Sequence, residues 1–117
     1  MVLNVLARNH DDHTKNHSFL LAGPSADWQL APAYDVTYAY NPRGEWTYQH
    51  LMSVNGRFAD IGMDDFLAVA DRHQVPGAKA AIATVESAVE AWPDFANAAG
   101  LNAQQAEAIA VTFPGRR

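Results

Sequence analysis

Asn9-His10-Asp11-Asp12-His13-Thr14-Lys15-Asn16 is the stretch that decides the reading of this chain, because nowhere else do carboxylates, imidazoles, an amine and amides crowd into eight positions. An apolar segment of helical period (Val2, Leu3, Leu6) leads into it, and a β-prone segment (Phe19, Leu20, Leu21) leads out. The charged residues therefore fall at a helix-to-strand junction, where a rigid scaffold can present them, and the stretch reads as a reaction centre.

Upstream, Met1 to about Arg8 has helix periodicity but no Ser, Thr or Asp before it to satisfy the first-turn donors. A chain that begins inside structure is expected, either cut down from a longer one or frayed at a native start. Downstream, Phe19 to Leu21, the breaker Gly23-Pro24-Ser25, and Trp28 to Leu30 make a hairpin signal. The return strand should bring Asp35 back to the level of Asp11, so that two distant acids converge.

Tyr34 to His50 holds five of the seven Tyr and Trp side chains (Tyr34, Tyr38, Tyr40, Trp46, Tyr48) around the turn signal Asn41-Pro42-Arg43-Gly44. Such a density fits a functional loop, and equally rings that fasten an irregular segment to the core. Asn55-Gly56 marks another turn, after which helices take over. Gly62 to about His73 places Phe66, Leu67 and Ala70 on one face, and Pro76 to Trp92 repeats the spacing with Ala78, Ile82, Val85, Val89 and Trp92. Pro93 is expected to end or kink that helix, Asp94 to cap a short turn through Ala99, and Gly100 to close it in the left-handed conformation. Asn102 and Gln105 form an N-terminal capping pattern for a last helix with the stripe Ala106, Ile109, Ala110 and Phe113, stopped by Pro114. The isolated His50 and His73 receive no role.

Composition bounds the function. A chain of 117 residues, 49% hydrophobic and without a linker or repeat, is expected to form one domain, 1–117. Zero cysteines exclude disulfides and thiolate metal sites and fit a reducing compartment, so a soluble cytoplasmic protein is expected. A net charge of -5 offers no basic footprint for a phosphate backbone, which argues against direct nucleic-acid binding. No apolar run is long enough to span a bilayer.

The spacing of Asp11, Asn16 and Asp35 matches what phosphoryl transfer by a kinase requires. One carboxylate (Asp11) takes the proton of the attacking hydroxyl, while an amide oxygen (Asn16) and a second carboxylate (Asp35) hold Mg²⁺ against the phosphates of ATP. His13 and Lys15, on the same loop, are candidates for neutralising charge on the transferring group. Asp12 is expected to point elsewhere along an extended loop, as a solvated or capping carboxylate. Asp11 to Asn16 resembles the DxHxKN catalytic loop of HipA-type serine/threonine kinases, the toxins of bacterial toxin–antitoxin pairs, and Leu30 to Asp35 resembles their LxPxYD metal-binding segment. His50 to Gly56 and the run of helices also resemble the family, so the similarity covers essentially the whole chain.

The resemblance implies a mostly helical α+β fold like a protein-kinase C-lobe, with a small hairpin beside the catalytic loop and a helical bundle after it. It also implies ATP and Mg²⁺ as cofactors, Asp11 as base and Asn16 and Asp35 as metal ligands. The partners implied are a helix-turn-helix antitoxin and a protein substrate of the aminoacyl-tRNA synthetase class. The family's N-lobe, with its phosphate-covering loop and ATP-contacting lysine, has no room before Asp11, so the chain is expected to be incomplete as a catalyst alone. Without that lobe, the Asp11 to Asn16 loop is expected to be solvent-exposed. Two other readings remain open. His10 with Asp11, and His13 with His17, suit a metal-dependent phosphohydrolase of HD type if a helix runs through the loop. A helical interaction module without chemistry is the other.

Overall fold

The chain folds, in a computed structural model that describes residues 1–115, into five helices and one two-stranded sheet. The expected single domain includes residues 116 and 117, which lie outside the described residues. Helix α1 spans Val2–Leu6, and a single 3₁₀ turn spans Thr14–Asn16. Strands β1 (Phe19–Leu20) and β2 (Gln29–Leu30) pair antiparallel, Phe19 opposite Leu30 and Leu20 opposite Gln29. Helices α2 (Met63–Arg72), α3 (Ala78–Glu90), α4 (Trp92–Ala98) and α5 (Ala103–Ala110) complete the fold. The mostly helical architecture with a small hairpin is as expected.

Apolar periodicity builds the core. Val5 of α1, Phe66 of α2 and Ile82 of α3 meet Val54 and Ile61 from the intervening loop, with Val2, Leu6, Leu67 and Val69 packed around them. Each such side chain taken from water stabilises the fold by about 1.5–3 kcal/mol. A second cluster joins α4 to α5. The rings of Trp92 and Phe113 meet edge to face at 5.7 Å, Trp92 Nε1 donates to the Ala106 carbonyl at 2.9 Å, and Ala96 and Ala110 are buried.

The ends of the elements follow local rules. At α5 the capping box forms as the sequence predicts: the Gln105 N–H donates to Asn102 Oδ1 at 2.9 Å and the Asn102 N–H to Gln105 Oε1 at 3.1 Å. At α2 the Gly62 N–H donates to Asp65 Oδ2 at 3.0 Å. Asn55-Gly56 makes its turn with both residues at positive φ, 52° and 79°, and Val54 and Arg57 bridge across it.

Three expectations need correction. The helix foreseen from Pro76 to Trp92 ends at Glu90, and Trp92 opens α4. Pro93 therefore sits in the first turn of α4 and starts a helix instead of ending one, since a first-turn N–H has no intrahelical partner to lose. Asp94 lies inside that first turn, and α4 has no side-chain cap. Helix α5 ends at Ala110, ahead of Pro114, and Phe113 reaches the core from a following turn in which its N–H donates to the Ala110 carbonyl at 3.1 Å.

Candidate functional site

The route into the site starts where α1 stops. Ala7 caps the helix, Arg8 turns left-handed at φ 57°, and the Arg8 and Asn9 N–H groups donate back to the carbonyls of Val5 (3.4 Å) and Asn4 (2.8 Å). This is the closing motif usually built on glycine. Arginine occupies it here, with compensation elsewhere. Its Nε donates to the Thr112 carbonyl at 2.6 Å, and its guanidinium lies 4.9 Å from the centre of the Tyr40 ring. The chain leaves the helix extended, in a short parallel bridge between Asn9 and Ala39.

Asn9 is 2% exposed and joins the two motif segments. Its Nδ2 donates to the Asp35 carbonyl at 3.2 Å, across 26 positions of sequence. Asp35 is held left-handed at φ 54°, an uncommon backbone state for a residue with a Cβ and one that functional sites often retain. Further ties fix the return segment. The Ala31 N–H donates to the Ser18 carbonyl at 2.9 Å, Tyr34 Oη donates to the Lys15 carbonyl at 2.6 Å, and Ser18 Oγ lies 2.7 Å from that phenol. The return segment thus brings the Asp35 backbone to Asn9, two residues before Asp11.

Asn16 Nδ2 donates to the Asp11 carbonyl at 3.2 Å, which folds the loop on itself and leaves Oδ1 as the free end of the amide. Asn16 and Asp35 line one cavity of about 280 Å³, together with Asn9, Leu30, Pro32 and Tyr34. Asn16 and the exposed Asp35 thus border one cleft, which Asp11 does not line. Asp11 is half-buried. His13 is half-buried with Nδ1 lacking a partner among the described residues, Lys15 is exposed, and neither lines the cleft.

The loop is not uniformly exposed, contrary to expectation. Only Thr14 and Lys15 are open to solvent, and Asp12, expected to be solvated or capping, is 5% exposed with Oδ1 unpartnered among the described residues. His50, which drew no role from the sequence, is 4% exposed beneath the same loop, its ring 4.1 Å from that of His10. The His10 ring, 2% exposed, packs on Tyr40 at 4.9 Å and lies with Nδ1 3.1 Å from the Thr47 carbonyl. Burial, the neighbouring His50 and the Arg8 guanidinium push the His10 pKa down to about 4, against the pull of the Thr47 carbonyl. His50 is also lowered, by burial first, although the Asp12 carboxylate and the Asn9 backbone favour its charged form. Both imidazoles line a larger cavity of about 790 Å³ with Arg8, Tyr40, Tyr48 and Asp60. Successive residues of the extended chain therefore face opposite ways, Asn9 to the cleft and His10 to this cavity.

The aromatic segment divides between the two readings it allowed. Tyr40 is fastened to the interior, whereas Trp46 and Tyr48 are 66% and 52% exposed. The phosphohydrolase reading fails on geometry. A metal-bearing helix would have to carry His13 and His17 on one face, but His13 is extended and the only helical residues between them are the 3₁₀ turn Thr14–Asn16. Among the described residues, no group of three or more His, Asp or Glu side chains is placed to share an ion. Also among them, no helix is long and apolar enough to cross a membrane.

No curated protein and no solved structure matches the chain. The profile of the HipA-like C-terminal domain family matches it over residues 1–113, a span containing the loop, the hairpin, the return to Asp35 and the helices behind them. ATP and Mg²⁺ use is general to the kinases of which that domain is a part. With nearly its full length matched, this chain belongs to the HipA-like C-terminal domain family.

Proposed function

We propose that this chain supplies the proton-accepting and metal-holding half of a serine/threonine protein kinase site, with the C-lobe role that its family membership implies. The observation that carries the reading is the cleft itself. Asn16 and Asp35 line it together, and Asn9 ties the Asp35 backbone to the loop that bears Asp11. Asn16 Oδ1 and the Asp35 carboxylate would hold Mg²⁺, which when bound neutralises phosphate charge and orients the γ-phosphoryl group.

Asp11 accepts the proton as the acceptor hydroxyl forms its bond to the γ-phosphorus and the bond to the ADP oxygen breaks. Its carbonyl, held by Asn16 Nδ2, keeps base and metal ligand in fixed register. Lys15, exposed at the loop tip, and His13 are assigned to the phosphoryl charge, Lys15 as a mobile cation. The acceptor is a protein hydroxyl, for which the family resemblance favours an aminoacyl-tRNA synthetase, with a helix-turn-helix antitoxin as the regulating partner. The net charge of -5 suits protein partners better than direct contact with nucleic acid.

Calorimetric titration with Mg²⁺–ATP tests the reading. The unmodified chain should bind, and Asp35→Ala and Asn16→Ala should each lose at least about tenfold in affinity, as loss of one charged or chelating contact does. Equal binding by all three proteins would remove Asn16 and Asp35 from the metal site, and absence of binding by the unmodified chain would remove the half-site altogether.

A further inference from the structure

Tyr34 directly precedes Asp35 and carries a hydroxyl that the phosphoryl-transfer reading does not use. Its Oη lies 2.6 Å from the Lys15 carbonyl oxygen and 2.7 Å from Ser18 Oγ. A carbonyl oxygen has no proton to give, so the one phenolic proton is committed to Lys15, and the proton between the two hydroxyls comes from Ser18. The two bonds therefore run in one direction, from Ser18 to Tyr34 to the Lys15 carbonyl, and each polarises the next. Ser18 is itself fixed, because its carbonyl accepts the Ala31 N–H at 2.9 Å at the open end of the hairpin.

The Lys15 carbonyl belongs to the same planar peptide unit as the Asn16 N–H. That N–H donates to the His13 carbonyl at 2.9 Å, and Asn16 Nδ2 donates to the Asp11 carbonyl at 3.2 Å. Tyr34 thus fixes the carbonyl end of a peptide whose N–H end the turn already holds. On the return segment, the Asp35 carbonyl accepts from Asn9 Nδ2 at 3.2 Å, and the Asp35 backbone sits at φ 54°. A left-handed aspartate persists where its surroundings over-determine it, and here it is bracketed by the Tyr34 phenol on one side and Asn9 on the other. Asn16, Tyr34 and Asp35 border the same cleft. We propose that Tyr34 is a positioning residue of that cleft: its hydroxyl, aligned by Ser18, sets the separation between the Asn16 turn and the Asp35 segment. Neither Tyr34 nor Ser18 touches a reacting atom in this scheme. That the positioned residues hold Mg²⁺ and nucleotide rests on the function proposed above. That the phenol ties the turn to the return segment does not.

The test uses the full chain and the variants Tyr34→Phe, Tyr34→Leu, Ser18→Ala and the combination of Tyr34→Phe with Ser18→Ala. Phenylalanine keeps the ring and removes only the hydroxyl. A ring that merely packs would leave Tyr34→Phe equal to the wild type and confine the loss to Tyr34→Leu. Two readings are taken: hydrogen exchange of the Asn16 amide by NMR, and Mg²⁺–ATP affinity by calorimetry. Tyr34→Phe should speed the exchange and weaken the affinity by about three- to tenfold each, the size of one hydrogen bond. Ser18→Ala should move both readings less and in the same direction, since Tyr34 keeps its own proton. Added to Tyr34→Phe, it should change nothing further, the signature of two groups acting through one bond.

Wild-type exchange in Tyr34→Phe overturns the proposal. So does faster exchange with undiminished affinity in a chain that binds nucleotide, because the hydroxyl would then steady the turn without setting the cleft. Strictly additive effects of Tyr34→Phe and Ser18→Ala overturn the alignment by Ser18. The two readings also separate this claim from the function it rests on. An unmodified chain that binds no nucleotide would sink the kinase half-site, and the Asn16 exchange in Tyr34→Phe would then decide the tie by itself. Nucleotide binding that Tyr34→Phe leaves at full strength would do the reverse, keeping the half-site and removing Tyr34 from it.

Discussion

At the scale of single residues, the interior histidines set how this protein responds to acid. The His10 pKa is pushed down from 6.5 to about 4 in the folded chain, chiefly because burial disfavours its charged form, with His50 and Arg8 adding to the effect. The unfolded chain therefore takes up the proton first. Stability from this source is complete above about pH 6.5 and is lost progressively as the pH falls toward about 4, and the lowered His50 acts in the same direction. Asp65 joins only at lower pH. The Gly62 N–H, then Asn55 and Arg57, hold its carboxyl below the usual value of 3.8, so its share is lost as the pH falls through that depressed value. Urea midpoints measured from pH 7 to pH 4 should fall steadily for the wild type. In His10→Asn, which keeps a donor toward the Thr47 carbonyl, the fall should be shallower, and parallel slopes would contradict the assignment. Asp11, Asn16 and Asp35 were legible as candidates from spacing alone. The burial of Asp12 and His50 was not, because a short polar stretch carries no periodicity to say which side chain faces inward.

At the scale of elements, three helices end in the same way, with one residue at positive φ followed by a pair of backward N–H donations. Helix α1 closes on Arg8, α2 on Gln74 and α4 on Gly100. Gly100 announced its stop in the sequence, since glycine meets no Cβ clash in the left-handed region, whereas an arginine or glutamine there gives no sign. Gln74 is exposed, at φ 51°, and among the described residues its side chain makes no hydrogen bond to offset the strain. Gln74→Gly should accordingly stabilise the chain by about 0.5–1 kcal/mol, the net of relieved Cβ strain and added unfolded-state freedom. Thermal melts would show it as a higher midpoint, and a lower one would mean that Gln74 makes a contribution beyond its backbone. Arg8 differs because its guanidinium holds Thr112 and Tyr40. The hairpin shows the opposite balance. Its turn signal was readable, yet Phe19, Leu20, Trp28 and Leu30 are all more than half exposed, so its apolar side chains report pairing and not burial in this chain.

At the scale of the whole molecule, the radius of gyration is 15.8 Å and the longest extent 51 Å, against about 13 Å for the radius of a compact domain of one hundred residues. Apolar burial is concentrated in two clusters, and the one holding Val5 and Ile82 fixes α1 on α3 immediately before the chain enters Asn9. Ile82→Ala should cost about 2–5 kcal/mol through lost burial and the cavity left behind, measured by denaturant unfolding. A cost below about 1 kcal/mol would mean that this cluster does not bear the fold. The sequence by itself determined the presence of the main helices and their apolar faces, the Asn102 cap, and the turns at Asn55 and Gly100, since each depends on residues within a few positions of one another. Only the tertiary structure decided that Pro93 starts a helix, that Asp12 and His50 are buried, and that Asn9 fastens the Asp35 backbone. Those outcomes depend on contacts between segments distant in sequence, where burial and hydrogen bonding across the fold outweigh what any local pattern prefers.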